Sequence, residues 1–470
     1  MLGLLLLLGC DGSTEPNIDR SLSGIELSQS SAGIVPEGEL ALYAVVRDTA
    51  GQEVERTLTW TSSDPGVAEV SMEGVVTGIA PGTAAITAAV GGKEASATID
   101  VDRVSFTSVS AGWTNACGLT EDGAIYCWGY NIKGKVGDGT TEMRLAPVRV
   151  ESSLTFRDVS MGYEHACAIA SDGTAHCWGG DYPPALGNGS LELALSTVPV
   201  AGGLQFEAIS AGRYHTCGLT PGGAAYCWGD NFRGQLGDGS QQESSMPVRV
   251  RADLTLRTIS AGGGGGKPGQ TLGHTCAVAS DDRGYCWGEN SQGEIGTGVA
   301  GGLYTEPLAL PDTLRFEQVY ASHQYSCGIT TAGELLCWGR NDWGQLGRGF
   351  NSYPWAEPSI EPVLGTFRAV SLSSQFQTTC VVTDAAVGYC WGWGGLGQLG
   401  YGTTESHFEP IVLPGSLAFS QIDAGTDNGC GLTVDGVAYC WGNFPGLGVG
   451  FDYYERFGTP YAGPVPVLGQ

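Results

Sequence analysis

The sequence predicts an all-β protein: a small N-terminal β-sandwich followed by a seven-bladed β-propeller. Three observations carry this. Seven cysteine pairs recur along the chain, each with its cysteines ten positions apart and each followed at once by a tryptophan. Successive pairs start 50, 50, 59, 51, 53 and 50 residues apart, and a period near 50 with strand-like content marks propeller blades. Finally, 76 glycines against 15% charged residues suit short strands and tight turns rather than long surface helices.

The chain opens with MLGLLLLLGCDGSTEPN. This apolar run is too short to span a bilayer as a helix and fits the apolar region of a secretion signal. Its LLGC ending resembles a bacterial lipoprotein signal, which implies lipidation of Cys10. Residues 1–20 are read as signal and short linker, and the protein as exported: lipid-anchored in the bacterial cell envelope, or extracellular. Membrane contact is expected through the lipid anchor only. The formal charge of −27 repels phosphates and anionic headgroups, so no nucleic acid is expected as a partner.

Residues 21–102 have their own character, with no cysteine between Asp11 and Ala116. ELALYAVVRD and ASATIDV alternate like half-buried strands. SSDPGV, EGVV and APGT read as turns. The stretch from LTWTSSDPGVAEV to EASATIDV resembles the group 2 bacterial immunoglobulin-like domain. That resemblance implies an immunoglobulin-like β-sandwich used as a spacer or adhesive module, with Trp60 in its core.

Residues 103–470 hold the repeats. In the third unit LQFEAISAG, HTCGLT, AAYCWG and SMPVRV read as four strands, and four short strands make one blade. A ring must close or expose strand edges. The C-terminal GPVPVLGQ reads as a fourth strand and SFTSVSAG as a first strand, so the two ends should meet. The stretches SAGRYHTCGLT, YCWGDNFRGQLGDGS and PVRV resemble the repeat of the regulator of chromosome condensation family, whose members are seven-bladed propellers. Its founding member activates a small nuclear GTPase and binds chromatin. A secreted bacterial inhibitor of β-lactamase uses this kind of propeller as an extracellular protein binder. Exchange-factor-like activity is the least favoured reading for an acidic, exported chain.

In each unit the cysteines flank a turn, as in TPGGA, and so sit opposite each other on adjacent antiparallel strands. Such a pair lies about 4.5 Å apart at Cα, within reach of a disulfide. The expected bonds are Cys117–Cys127, Cys167–Cys177, Cys217–Cys227, Cys276–Cys286, Cys327–Cys337, Cys380–Cys390 and Cys430–Cys440. Each closes a short loop, for which chain entropy gives an upper figure of about 2.5–3 kcal/mol. Zinc favours closer cysteine pairs that converge from two places, and redox catalysis favours C-x-x-C. His165, His215 and His274 precede a cysteine by two, but Asn115, Tyr325 and Asn428 stand there elsewhere. These histidines are expected to hydrogen-bond backbone near the turn. The seven tryptophans are expected to pack between blades.

The loop GDNFRGQLGDGS lacks the lysine of a P-loop and the spaced acids of an EF-hand. His176 and His407 have no evident catalytic partner, and no G-x-S-x-G, H-E-x-x-H or paired-acid motif occurs. The chain is read as non-enzymatic, with no cofactor and no metal.

Alternating strand direction puts the first-to-second and third-to-fourth loops on one face of the ring. Those loops vary from unit to unit. They offer Trp113, Tyr163, Arg213, Tyr214, His323, Tyr325 and Phe376, then Phe232, Arg233, Trp343, Trp393 and Phe444, with Ile132 and Lys133. Unit four adds the insertion GGGGKPGQTLG there. Exposed aromatics and arginines are what protein interfaces use. The expected partner is therefore a protein. A glycan, in a carbohydrate-binding or adhesive module, is the alternative.

Overall fold

The computed structural model describes residues 21–34, 39–180, 184–251, 253–263, 272–352, 356–443, 447–449 and 460–469. The signal region with Cys10, most of the unit-four insertion and Phe444 lie outside them. Every regular element among the described residues is a β-strand. The chain divides into two compact units between Arg103 and Val104.

The first unit is a sandwich. One sheet holds four strands, Ser31–Ile34, Lys93–Val101, Gly82–Val90 and Thr59–Ser62 in that order, the first pair parallel. A second sheet holds Glu39–Ala41, Val75–Gly78 and Ala68–Val70, and Leu22–Leu27 pairs with Ala44–Asp48. Alternation along the strands turns Ala84, Ile86, Ala97 and Ile99 inward, where they pack with Leu42, Ala68, Val76 and Val101. Trp60 is half-buried and packs against this cluster.

The second unit is seven sheets of four antiparallel strands, each in chain order. Blade three is Ala208–Ala211, His215–Leu219, Ala225–Gly229 and Ser244–Arg249. The first strands of all seven blades line one central channel. Each predicted cysteine pair is a disulfide, directly opposed in the second-to-third strand register, with Cα atoms 4.0–4.1 Å apart. All fourteen sulfurs are fully buried, because each blade is covered on both faces by its neighbours.

Cysteine and tryptophan are adjacent on the third strand and so point to opposite faces of the blade. All seven indoles of this position are fully buried. In blades two to seven the indole N–H donates to a backbone carbonyl in the preceding blade's glycine loop, at 2.8–3.0 Å. Those carbonyls belong to Lys135, Ala185, Gln235, Glu294, Gln345 and Gln398. Two residues on, a glycine lies flat against the same indole. Gly237 has φ +69°, and a Cβ there would fall 2.5 Å from Trp287 Nε1. Gly448 holds the same place against Trp128, which carries the contact across the closing seam. In four blades an asparagine organises this loop from within: Asn231 Oδ1 accepts from Leu236 N–H at 3.0 Å, and Asn131, Asn290 and Asn341 repeat the bond.

The two ends meet. Tyr461–Pro466 completes blade seven, Phe106–Ala111 begins blade one, and Val104 N–H donates to Gly469 O at 2.8 Å. No strand is shared across this seam.

The glycine contact has a direct test. Gly237→Ala adds a Cβ in a left-handed conformation against a buried ring, and should cost about 2 kcal/mol or more. Gly222→Ala, where nothing lies within 4 Å, should be silent. Chemical unfolding midpoints check this. Equal midpoints for the two variants would remove the packing argument.

Candidate binding face

The face formed by the first-to-second and third-to-fourth loops carries two aromatic clusters. In blades one to three, Trp113 stacks on Tyr163 with ring centroids 4.6 Å apart and planes 12° off parallel. Tyr163 meets Tyr214 edge-on at 6.0 Å, and the Arg213 guanidinium lies 3.8 Å from the Tyr163 centroid. In blades five and six, His323 stacks on Phe376 at 4.7 Å. Phe376 then meets Trp393, and Trp393 meets Trp343, each at 6.3 Å. Phe232 and Trp343 are exposed. Arg233 is tied back by an ion pair to Glu289 at 3.0 Å.

Tyr325 does not belong to this face. It is fully buried, and its hydroxyl donates to Thr378 O at 2.7 Å and meets Thr379 Oγ1 at 3.0 Å in the next blade. It fills the slot that His165, His215 and His274 fill elsewhere. Those histidines also do not bond backbone at the turn as expected. Nε2 meets the hydroxyl of Thr216, Thr275 and Ser326 respectively, at 2.7–2.9 Å, each one blade on. Burial pulls their pKa values down, to about 4 for His165 and about 3 for His215 and His274. They are neutral inter-blade fasteners.

Several residues of the face escaped the sequence reading. Lys135 is fully buried, and its ammonium donates to Tyr163 O at 3.1 Å beside Glu164 at 3.9 Å. The ring centroids of Trp113 and Tyr130 lie 4.9 and 5.5 Å away. Burial lowers its pKa to about 8, against the opposing pull of Glu164 and Asp427. Asp427 accepts the Trp113 indole N–H at 3.0 Å, and burial raises its pKa to about 6. A comparison among units signals Lys135, since GKVG stands where GQLG stands in other units.

Glu294 occupies the same glutamine slot. Burial pushes its pKa to about 8. Its Oε2 accepts from Gln292 N–H at 2.7 Å, as Gln235 Oε1 accepts from Arg233 N–H at 2.9 Å. Glu294 thus accepts the loop N–H that a glutamine amide oxygen accepts in blade three. The loop aspartates are also spent locally: Asp238 Oδ1 accepts from Ser240 N–H and Asn231 Nδ2. Among the described residues no three His, Cys, Asp or Glu side chains gather as a metal group would require.

Behind the loops, a ring of first-strand side chains crosses the channel. Ser110, Ser160, Ser210 and Ser260 each accept the backbone N–H of the next blade at 2.9–3.1 Å. Ser373 does the same to Ala424 at 3.0 Å. In blade seven Asp423 takes this place and accepts from Ala111 N–H at 2.7 Å. Tyr320 interrupts the series in blade five.

Comparison with known proteins places these units. Regulator of chromosome condensation (RCC1) repeat models match residues 106–135, 206–235, 122–169, 222–266 and 389–432. A bacterial Ig-like domain (group 2) model matches residues 25–101. The chain carries RCC1 repeats and a bacterial Ig-like domain. Over 190 residues it is 28% identical to the human E3 ubiquitin-protein ligase HERC2, covering 39% of this chain and 4% of that one. Over 157 residues it is 30% identical to rat probable E3 ubiquitin-protein ligase HERC4, covering 32% of this chain and 15% of that one. The chain thus spans well under a fifth of the length of these relatives. Human WBSCR16 superposes with a TM-score of 0.63 at 19% identity, over 73% of this chain and 94% of that one. Prp20p from Saccharomyces cerevisiae superposes with a TM-score of 0.62 at 18% identity, over 74% and 87%. At that identity the likeness is one of fold, and the fold is an RCC1-type propeller.

The buried histidines give a pH signature. The folded chain keeps His215 neutral down to about pH 3, whereas an unfolded chain protonates it near 6.5. Between those values the unfolded state holds the extra proton, so His215 removes about 1.4 kcal/mol of stability per pH unit as pH falls. His215→Gln keeps a polar partner for Thr275 and lacks that slope. Unfolding free energies of the two proteins at pH 7 and pH 5 should converge in acid, and parallel profiles would contradict the assignment.

Proposed function

We propose that this chain is an exported, non-enzymatic binding protein. Its propeller takes a partner protein on the face of the variable loops, and the Ig-like unit serves as a spacer. One observation carries the reading. The aromatic and cationic residues of that face differ from blade to blade and gather in two clusters, with Trp343 39% and Phe232 44% exposed. The second-to-third turns of the other face repeat short glycine-rich sequences. A varied patch of large aromatics and arginine suits one protein surface, whereas equivalent glycan pockets would repeat with the blades. Prp20p, which shares the fold, is described with binding properties to Gsp1p and histones. The location rests on the seven disulfides, which persist in oxidising compartments, and on the signal-like apolar run ahead of Cys10, whose lipidation we take as the anchor.

The triple substitution Tyr214→Ala, Phe232→Ala and Trp343→Ala should abolish partner capture by the intact chain on the native cell surface. It should leave the folded yield unchanged. Recovery of the same partners with the triple variant would sink the proposal.

A further inference from the structure

Arg213 is one of eight arginines among the described residues that form no ion pair with Asp or Glu, and it is set apart by its stacked, shielded position. Eight arginines among the described residues form ion pairs with Asp or Glu. Arg213 forms none, although the chain has 49 acidic and 22 basic residues. Its Nε is shielded from solvent without a hydrogen-bond partner. The group is nonetheless held in place: its centre sits 3.8 Å from the Tyr163 centroid and 5.3 Å from that of Tyr214. Stacking fixes the plane of a guanidinium and leaves its N–H edge to bind.

That arginine lines the channel mouth, a pocket of about 140 Å³ on the variable face. The serines of the channel ring form its floor, and their protons are spent unevenly. Ser110 and Ser373 donate their O–H groups to Asp423, the one carboxyl in the lining. Ser160, Ser210 and Ser260 accept the next blade's N–H but donate to no acceptor among the described residues. Unspent donors therefore collect on blades two to four, on the side of Arg213.

The rim excludes a sugar platform. Tyr163 has Trp113 stacked on its ring and Arg213 over it as well. Phe376 is stacked on His323. What the pocket offers is a fixed guanidinium and several hydroxyl donors, in a space sized for one side chain. That suits a planar anion able to accept from both.

We propose that the channel mouth is an anion seat that takes the carboxylate of an aspartate or glutamate side chain presented by the partner protein. The source of the carboxylate rests on the protein-binding reading above; the seat itself does not.

The test titrates the intact chain with the blocked peptide acetyl-Gly-Glu-Gly-amide and its Gln counterpart, followed by saturation-transfer NMR. Glucuronate and inorganic phosphate are run in parallel. The Glu peptide should bind, and the Gln peptide should bind about tenfold more weakly or worse, as loss of a charged hydrogen bond implies. Arg213→Gln should cost the Glu peptide a similar factor with an unchanged unfolding midpoint. Arg213→Lys, which keeps the charge but not the fork, should fall between, and higher salt should weaken binding. Four results overturn the proposal: no binding of the Glu peptide, equal binding of the Gln peptide, indifference to Arg213→Gln, or tighter binding of glucuronate or phosphate. If the Glu peptide binds while the aromatic triple variant still captures partners, the face reading fails and the seat stands. If the reverse holds, only the seat fails.

Discussion

In blades two to seven the buried indole reaches across a seam to a carbonyl that belongs to the preceding blade, and the rest of the propeller depends on that contact. A four-stranded blade cannot cover its own faces. Here the tryptophan of one blade and the glycine loop of the one before it close over each other. The loop must therefore be shaped before the indole can dock. The asparagine inside it, the aspartate turn after it and the glycine beneath the ring all serve that shape. The disulfide works at right angles to this, tying the second strand to the third within a blade. One device holds a blade together and the other holds blades to each other.

The same constraint sets the demands on closure. Blade seven is made only of C-terminal strands and blade one only of strands that follow the Ig-like unit, so no shared strand locks the ring. Side chains do it instead. Gln421 both accepts from Val109 N–H and donates to Val109 O, at 3.2 and 2.9 Å. Asp423 holds Ala111 N–H and Ser110, and Asp427 holds Trp113. The seam with the least help from chain connectivity is thus held by charged and amide fasteners. Asp423 sits there with its pKa raised by desolvation and countered by the donors around it.

What was legible in the sequence was what repeats. The period, the cysteine pairs, the strand divisions and the meeting of the two ends follow from seven copies of one local pattern, in which neighbours in sequence are neighbours in space. Partners one blade apart are about 50 residues apart in the chain, and these were not legible. His165 and Thr216 illustrate this: the histidine looked like a turn residue because its hydroxyl partner lies in the next unit. Tyr325 looked like a face residue because its loop is one, yet it fills the histidine slot and is buried. Arg213 was read as one contact among many. Only the three-dimensional lining of the channel mouth sets it apart, as a stacked, shielded cation with no ion pair.

The proposed division of labour is simple: positions common to the blades build the ring, and positions that differ, on one face, are assigned to the partner. Hydrogen–deuterium exchange of the intact chain, alone and with its captured partner, tests this most directly. The account predicts new protection confined to the loops around 113, 163, 213, 232, 323, 343, 376 and 393, with the second-to-third turns and the Ig-like unit unchanged. Protection that falls instead on turns such as 220–224, or on residues 25–101, would contradict it.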